Sequence, residues 1–218
     1  MPDIDSSVVS GVEVGGYRRG ATAADPWHQY VVPVQDRIVS YRGRFASFRQ
    51  LGIAGTAGQN LFSIFNAAGS TVLVQVDGIS VDVYQTAARV VAPPMLRLHR
   101  ITTLPTGGTA GSKVAEDTTM TSSASLTMLQ GTASDGGAAT AIVSTPAAGT
   151  LITQEPVARA LTMVGYEQFD RDDFLATGEM ILRAGEGVLV RLDYNTATSN
   201  PITDNYIVNA RWTEYTRP

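Results

Sequence analysis

Residues 72–83 read VLVQVDGISVDV, and on either side of Asp77-Gly78 an apolar residue occupies every second position. Alternation with this period predicts a β-strand that has one buried face. The buried phase flips at Asp77-Gly78, and two geometries account for the flip. A two-residue type I′ hairpin would pair Val76 with Ile79, whereas a bulge would kink one long strand. Both geometries keep the alternating residues in the core.

On both sides of this stretch the chain continues as short apolar runs separated by turn residues. The 21 glycines and 10 prolines, with many Ser and Thr residues, punctuate runs of Val, Ile, Leu and Tyr. The clearest run is the last, where Tyr206, Val208, Ala210 and Trp212 alternate with polar residues. Roughly eight to ten strands and no long helix predict an all-β fold, a jelly-roll-like antiparallel β-sandwich.

The predicted domain organisation has two parts. Residues 1–30 contain glycines and an Asp-Pro pair with little hydrophobic periodicity, so we expect an extended N-terminal arm that a partner surface orders. Residues 31–218 form the predicted β-sandwich domain. Within it, residues 105–150 are rich in Gly, Ala, Ser and Thr, which predicts long loops.

Composition excludes several classes of function. The chain has no cysteine, so disulfides, thiolate metal sites and cysteine nucleophiles are excluded. No stretch approaches the roughly 18 apolar residues that a membrane helix requires, and the start lacks the pattern of a signal peptide. We therefore expect a soluble, unsecreted chain. The net charge of −4 and the scattered basic residues do not favour nucleic acid as a partner.

Catalytic chemistry has few candidate residues. A serine hydrolase needs a histidine base, and the two histidines, His28 and His99, lie far from any Gly-x-Ser-x-Gly turn. Gly107-Gly108 and Gly185-Glu186-Gly187 are not followed by the Lys-Ser/Thr pair of a phosphate-binding loop, so we interpret both as turns. We expect no catalytic, cofactor-binding or metal-binding residue, and hence no enzyme and no cofactor.

One acidic group allows two further interpretations. Its members are Glu167, Asp170, Asp172 and Asp173. They could supply oxygen ligands for calcium, although their spacing matches no known calcium loop. They could also supply a glycosidase carboxylate pair, although nothing in the sequence sets the required separation. Because aromatic residues flank the acids, we favour a solvated turn between strands.

One stretch is locally basic. Its arginines are interleaved with aromatic residues: Arg37, Tyr41, Arg42, Arg44, Phe45, Phe48 and Arg49. Such a mixture could stack and clamp single-stranded nucleic acid. Alternation along a strand is the simpler interpretation, with the arginines facing outward from an edge strand. There they would oppose edge-to-edge aggregation and pair with acidic groups of a partner protein.

Several segments resemble proteins encoded among the structural genes of tailed bacteriophages. These segments are LFSIFNAAGSTVLVQVDGISVDV at 61–83, MLRLHRITTLPTGGTA at 95–110, ILRAGEGVLVRLDYN at 181–195 and NARWTEYT at 209–216. The order carries the resemblance, because a strand pair precedes a PTGGTA-like loop and a GEG-containing turn precedes a closing strand that bears Trp and Glu. The similarity covers about half of the chain, and its motifs are structural.

The resemblance implies a virion protein with a jelly-roll-like sandwich that decorates or cements the capsid, often as a trimer at a symmetry axis. The implied partners are the major capsid protein and further copies of this chain. The implied location is the capsid surface of the virion, after assembly in the host cytoplasm. No functional residue is carried over by the resemblance.

Two alternative functions have their own candidate residues. The first is a tail or baseplate protein of the same fold that binds carbohydrate, which would require an exposed aromatic groove. Its candidates are Trp27, Tyr30 and Tyr194. The second alternative is a polysaccharide-cleaving enzyme, which would rest on Glu167, Asp170 and Asp173 alone.

Overall fold

The computed structural model of this chain is all-β in every part that it describes. It describes residues 4–9, 12–17, 38–47, 49–51, 58–85, 95–131, 141–156, 165–169, 180–193 and 204–216. The strands are, in chain order, β1 Ile4–Val9, β2 Val12–Tyr17, β3 Ile38–Ala46, β4 Gln50–Leu51, β5 Gln59–Asn66, β6 Val72–Gln85, β7 Met95–Ile101, β8 Thr106–Gly107, β9 Thr109–Ala110, β10 Val114–Ala115, β11 Leu126–Gln130, β12 Ile142–Val143, β13 Leu151–Pro156, β14 Gly165–Phe169, β15 Met180–Leu182, β16 Glu186–Asp193 and β17 Asp204–Thr216.

Two antiparallel sheets form the main unit, which spans Arg37–Pro218. Sheet I has the strand order β10-β3-β17-β6-β14. In addition, β15 pairs with β6 and β4 pairs with β17. Sheet II has the order β13-β7-β16-β5-β11-β9. The inward side chains of both sheets meet in one core that includes Phe62, Val81, Leu98, Val190 and Trp212, each at most 2% exposed. The predicted antiparallel sandwich is confirmed.

The long strands pair in a nested order. The first, β3, pairs with the last, β17, and the next strand inward, β5, pairs with β16. Further inward, β6 pairs with β14 and β15, and β7 pairs with β13. These pairs are joined to one another within each sheet, because β17 also pairs with β6 and β16 with β7.

The strand β6 decides between the two geometries of Asp77-Gly78. It runs unbroken from Val72 to Gln85, so the hairpin is wrong and the bulge is confirmed. In the pairing with β17, Arg211 lies opposite Gly78 and Trp212 lies opposite Val76, which leaves Asp77 as the extra residue. The insertion of one residue restores the inward phase, as a β-bulge does.

Two side-chain hydrogen bonds hold the bulge. The Oδ1 atom of Asp77 accepts a hydrogen bond from Nε2 of Gln75 at 2.9 Å. The Oδ2 atom accepts one from Oγ1 of Thr213 at 2.7 Å. Gln75 in turn accepts a hydrogen bond from the Tyr215 hydroxyl at 3.1 Å. The extra residue is therefore fixed to its own strand and to β17.

The N-terminal unit, Met1–Asp36, contains a hairpin that the sequence analysis did not predict. In it β1 pairs with β2 in antiparallel register, from Ile4 opposite Tyr17 to Val9 opposite Val12. That a partner surface orders the arm stays a prediction.

The loop-rich segment 105–150 adds a small second cluster to sheet II. Strands β8 and β12 pair with each other, and Ile142 of β12 is buried beside Phe65, Ile101 and Leu189. The side chain of Asn60 anchors this segment by donating to the carbonyl oxygens of Ile142 and Ser144 at 3.0 and 2.9 Å. In the described parts of the chain, no helix is long and apolar enough to cross a membrane.

Candidate protein-contact surface

Most residues that the sequence analysis singled out for chemistry lie outside the described residues. This holds for His28, Trp27, Tyr30, Arg37, Phe48, Asp170, Asp172, Asp173 and Tyr194. Glu167 lies on β14, which pairs with β6, but its side chain is not described. The hypotheses of a calcium loop, a glycosidase pair and an aromatic glycan groove therefore stay untested predictions.

His99 lies on β7, on the outer face of sheet II. Its Nδ1 atom is 3.4 Å from Oγ1 of Thr150. Burial lowers the pKa of His99, and the nearby carboxylate of Asp193 opposes that effect only in part. Ser63 of β5 is in register with His99, but Leu189 of β16 lies between them. Ser63 and His99 therefore do not form a nucleophile and base pair.

Beside His99, the outer face of sheet II carries an ion network. Arg97 donates to Oδ2 of Asp193 at 2.7 Å, and Arg191 donates to Oδ1 at 2.5 Å. Arg97 also bonds to Gln154, so the network joins strands β13, β7 and β16. Because both oxygens of Asp193 are occupied by its own chain, this network is structural.

Three of the four glycines in these motifs have the backbone that turns require, whereas Gly187 lies within β16. Gly107 and Gly108 have φ values of 66° and 68°, and Gly185 has φ 82° in the turn between β15 and β16. In this region of φ a residue with a Cβ atom is strained. The amide of Gly185 donates to the carbonyl of Asn66 at 2.8 Å, which ties the turn to β5.

The basic stretch folds as the predicted alternating strand. On β3, Tyr41 and Phe45 are 2% and 3% exposed and belong to the core. The intervening Arg42 and Arg44 are exposed on the outer face of sheet I. The strand is not the outermost one, however, because β10 pairs with Gly43 and Arg44 over two residues.

Strand β17 brings a third arginine to this surface. Arg211 is exposed and lies directly opposite Arg44, while Arg42 lies opposite Thr213. Arg44 forms an ion pair with Glu116 at 2.6 Å. Among the described residues, no carboxylate comes within ion-pairing distance of Arg42 or Arg211. We call the surface formed by Arg42, Arg44 and Arg211 the arginine face.

Two shallow grooves flank Arg211. One, of about 370 Å³, lies over the small residues Ala46, Gly78 and Ser80 and is bordered by Arg44, Val114, Asn209 and Arg211. The other, of about 350 Å³, is bordered by Arg42, Gln75, Asp77, Glu116, Arg211, Trp212, Thr213 and Tyr215. The second groove holds hydrogen-bonding groups of both kinds beside Tyr215, whereas the indole of Trp212 is 1% exposed and belongs to the core. Arg and Tyr are enriched where proteins bind one another.

A buried carboxylate lies beneath the second groove. Glu214 is 1% exposed, and its Oε1 atom accepts hydrogen bonds from Oγ of Ser122 at 2.6 Å and from Nε1 of Trp212 at 3.1 Å. Its Oε2 atom accepts one from the amide of Ser123 at 2.8 Å. These bonds fasten the segment before β11 to β17.

Lys113 and Tyr41 complete the surroundings of Glu214. The ammonium of Lys113 donates to the carbonyl of Ser123 at 3.0 Å. Burial lowers the pKa of Lys113, and the charge of Glu214 opposes this effect. Burial raises the pKa of Tyr41, and Glu214 adds to that rise. The cluster joins the segment before β11 to β17 within the sandwich. It lies on the inner side of sheet I, behind the arginine face.

Arg211 and Glu214 were not predicted from the sequence as members of these sites. The alternation of the last strand could have identified them. It places Arg211 on the outer face and Glu214 on the inner face, two residues after the inward Trp212. Their neighbours depend on the pairing of β17 with β3, which alternation along one strand does not specify.

In the described part of the chain, no three His, Asp or Glu side chains are grouped so that they could hold a metal ion. Comparisons of the chain with protein-family models, curated proteins and solved structures gave no match. The fold therefore defines this chain as an all-β sandwich protein, and the arginine face is its best-supported candidate for a contact surface.

Proposed function

We propose that this chain is a structural protein of a tailed-phage virion that decorates or cements the capsid at the seams between capsomers, and that it is not an enzyme. The resemblance of its segments to phage structural proteins motivates the proposal. The nested pairing of its strands is the structural observation that supports the proposal most strongly.

We infer a jelly-roll topology from that pairing. A jelly roll is a sandwich of eight strands with Greek-key connections, and it is common among viral capsid domains. Nested pairs result when one long antiparallel hairpin is rolled up, so that first and last strands lie together. The pairs β3–β17, β5–β16, β6–β14/β15 and β7–β13 follow this order. The short strands β9 and β11 extend sheet II beyond it.

The geometry suits binding rather than catalysis. Two sheets with a continuous core make a rigid platform, and on the arginine face Arg42 and Arg211 have no ion-pair partner among the described residues, which leaves them available for contacts with another protein. A cement protein gains strength from many copies, because each modest contact is repeated over the shell. The proposed partners are the major capsid protein and further copies of this chain, with neither nucleic acid nor membrane involved.

The test is co-sedimentation with assembled capsids. The mass of the purified chain in solution is first measured by light scattering, which gives its oligomeric state. The chain is then mixed with capsids of the phage that encodes it, and the capsids are sedimented. We expect a discrete oligomer to bind to saturation in a stoichiometry set by the symmetry of the shell. A chain that stays in the supernatant would overturn capsid decoration and favour a tail or baseplate location, which a glycan-binding screen would then examine.

A further inference from the structure

We propose that the arginine face is the docking site for a carboxylate-bearing segment of a partner protein. Within the proposed function, that partner is the capsid shell, so the identity of the partner rests on that function. The chemistry of the site rests on the geometry of sheet I alone.

Like charges lie next to each other on the arginine face. Arg44 and Arg211 are direct cross-strand neighbours. Arg42 is two residues from Arg44 along β3 and therefore lies on the same face. Like charges directly opposite each other on a sheet are unfavourable. Only Arg44 has an acidic neighbour, Glu116, among the described residues. The isolated fold thus keeps two guanidinium groups without a counter-charge, and an external carboxylate would supply one.

The acids that line the two grooves are already engaged within the chain. Glu116 pairs with Arg44, and both oxygens of Asp77 accept hydrogen bonds that hold the bulge. Three arginines and these two carboxylates leave the two grooves with a charge of +1, whereas the whole chain carries −4. The arginine face is therefore a positive site on an acidic protein.

The shape of the surface also fits a docked segment. Ala46, Gly78 and Ser80 leave a low floor beside Arg44 and Arg211, and the bulge at Asp77 is what places Gly78 opposite Arg211. A guanidinium donates two parallel hydrogen bonds to a carboxylate, which fixes direction as well as charge. A nucleic-acid backbone carries a negative charge at every phosphate, so the two acids and the negative charge of the chain oppose it more strongly than they oppose a peptide with a few carboxylates.

The experiment is an NMR titration of the full chain with two short peptides, one alternating Glu and Thr and the other alternating Gln and Thr. We expect the Glu peptide to shift the Nε–Hε signals of Arg42 and Arg211, and the Gln peptide to bind more weakly. The double variant Arg42→Gln/Arg211→Gln should raise the Kd of the Glu peptide at least about fivefold. The matched control is Arg183→Gln, which removes an exposed positive charge from the turn before β16 and should leave the Kd unchanged.

Three results would overturn the docking site. They are equal Kd values for the two peptides, an unchanged Kd in the double variant, and tighter binding of a short DNA duplex than of the Glu peptide. The last result would reassign the arginine face to phosphate groups.

A stability measurement separates a binding role from a structural one. Because Arg211 faces a like charge, Arg211→Gln should leave Tm unchanged or raise it by up to about 4 °C. A clear fall in Tm would mean that Arg211 stabilises the isolated chain, and the argument from unpaired charge would fail.

The same variants in the capsid experiment separate this inference from the proposed function. If the wild-type chain and Arg183→Gln sediment with capsids and the double variant does not, the docking site is supported. If all three sediment equally, the docking site is overturned while decoration stands. If the wild-type chain does not sediment, decoration is overturned, and the peptide titration still decides whether the arginine face binds carboxylates.

Discussion

Replacing Glu214 by glutamine should lower the free energy of unfolding by about 2–3 kcal/mol. The carboxylate is 1% exposed and accepts three hydrogen bonds, from Ser122, Ser123 and Trp212. An amide of the same shape has one acceptor oxygen, so its NH₂ group must face at least one of these donors. A hydrogen bond to a charged group contributes about 1.5–3 kcal/mol, and Lys113 also loses its nearby counter-charge.

The assay is urea unfolding followed by circular dichroism, with Tm as a second readout. For a chain of this size, a loss of 2–3 kcal/mol corresponds to a fall in Tm of about 4–12 °C. The matched control is Glu116→Gln, whose ion pair with Arg44 is exposed and should contribute less than about 1 kcal/mol. If the free energy of unfolding of Glu214→Gln lay within about 0.5 kcal/mol of the wild-type value, Glu214 would not be the residue that holds this cluster together.

Three further predictions concern the bulge, the core and the pH dependence of stability. Deleting Asp77 should leave a folded chain that has lost about 1–3 kcal/mol with its two hydrogen bonds. Deleting Ser80 instead should turn the valines that follow it out of the core and cost at least about 3 kcal/mol, so equal stabilities by circular dichroism would contradict the bulge. Gly43→Ala should lower the free energy of unfolding by about 1–3 kcal/mol, because the added methyl group would overlap the rings of Tyr41 and Trp212. The control Gly69→Ala should leave it nearly unchanged in the same assay, because no atom lies within 4 Å of the added methyl group. Burial holds the pKa of His99 below 6.5, so the unfolded chain takes up a proton first and stability falls as pH drops below about 6.5. His99→Gln should flatten the dependence of the urea midpoint between about pH 7.5 and 5.5, and an unchanged slope would contradict this sign.

Alternation along single strands predicted much of the fold. It identified the inward phase of β3, β6 and β17, and it reduced the phase flip in β6 to two geometries. The choice between them required the partner strand, because a hairpin and a bulge bury the same valines. In β17 the residue opposite Val76 is Trp212 and the residue opposite Gly78 is Arg211, and this register excludes the hairpin.

The candidate site was predicted in part. The outward placement of Arg42 and Arg44 followed from the inward aromatic residues between which they lie. Arg211 joins them only through the pairing of strands that are far apart in the chain, and alternation does not encode that pairing. The hairpin of β1 and β2 was missed because Gly15-Gly16 lies inside β2, where glycine is unfavourable and indicates a loop.

The burial of Glu214 was missed for a related reason. An acidic residue is almost never fully buried unless it has partners. Its partners come from Ser122 and Ser123, which precede β11 and are distant in sequence. The inward phase of Glu214 was readable from the strand, but the donors that make this phase stable were not.

The proposed role in a tailed-phage capsid is tested most directly by electron cryomicroscopy of purified heads of the proposed source phage, prepared with and without this chain. We expect additional density on the outer surface of the shell, repeated by the symmetry of the shell, with the outer face of sheet I turned toward a shell subunit. Heads that are identical in the two preparations, or density of this chain confined to the tail, would contradict capsid decoration.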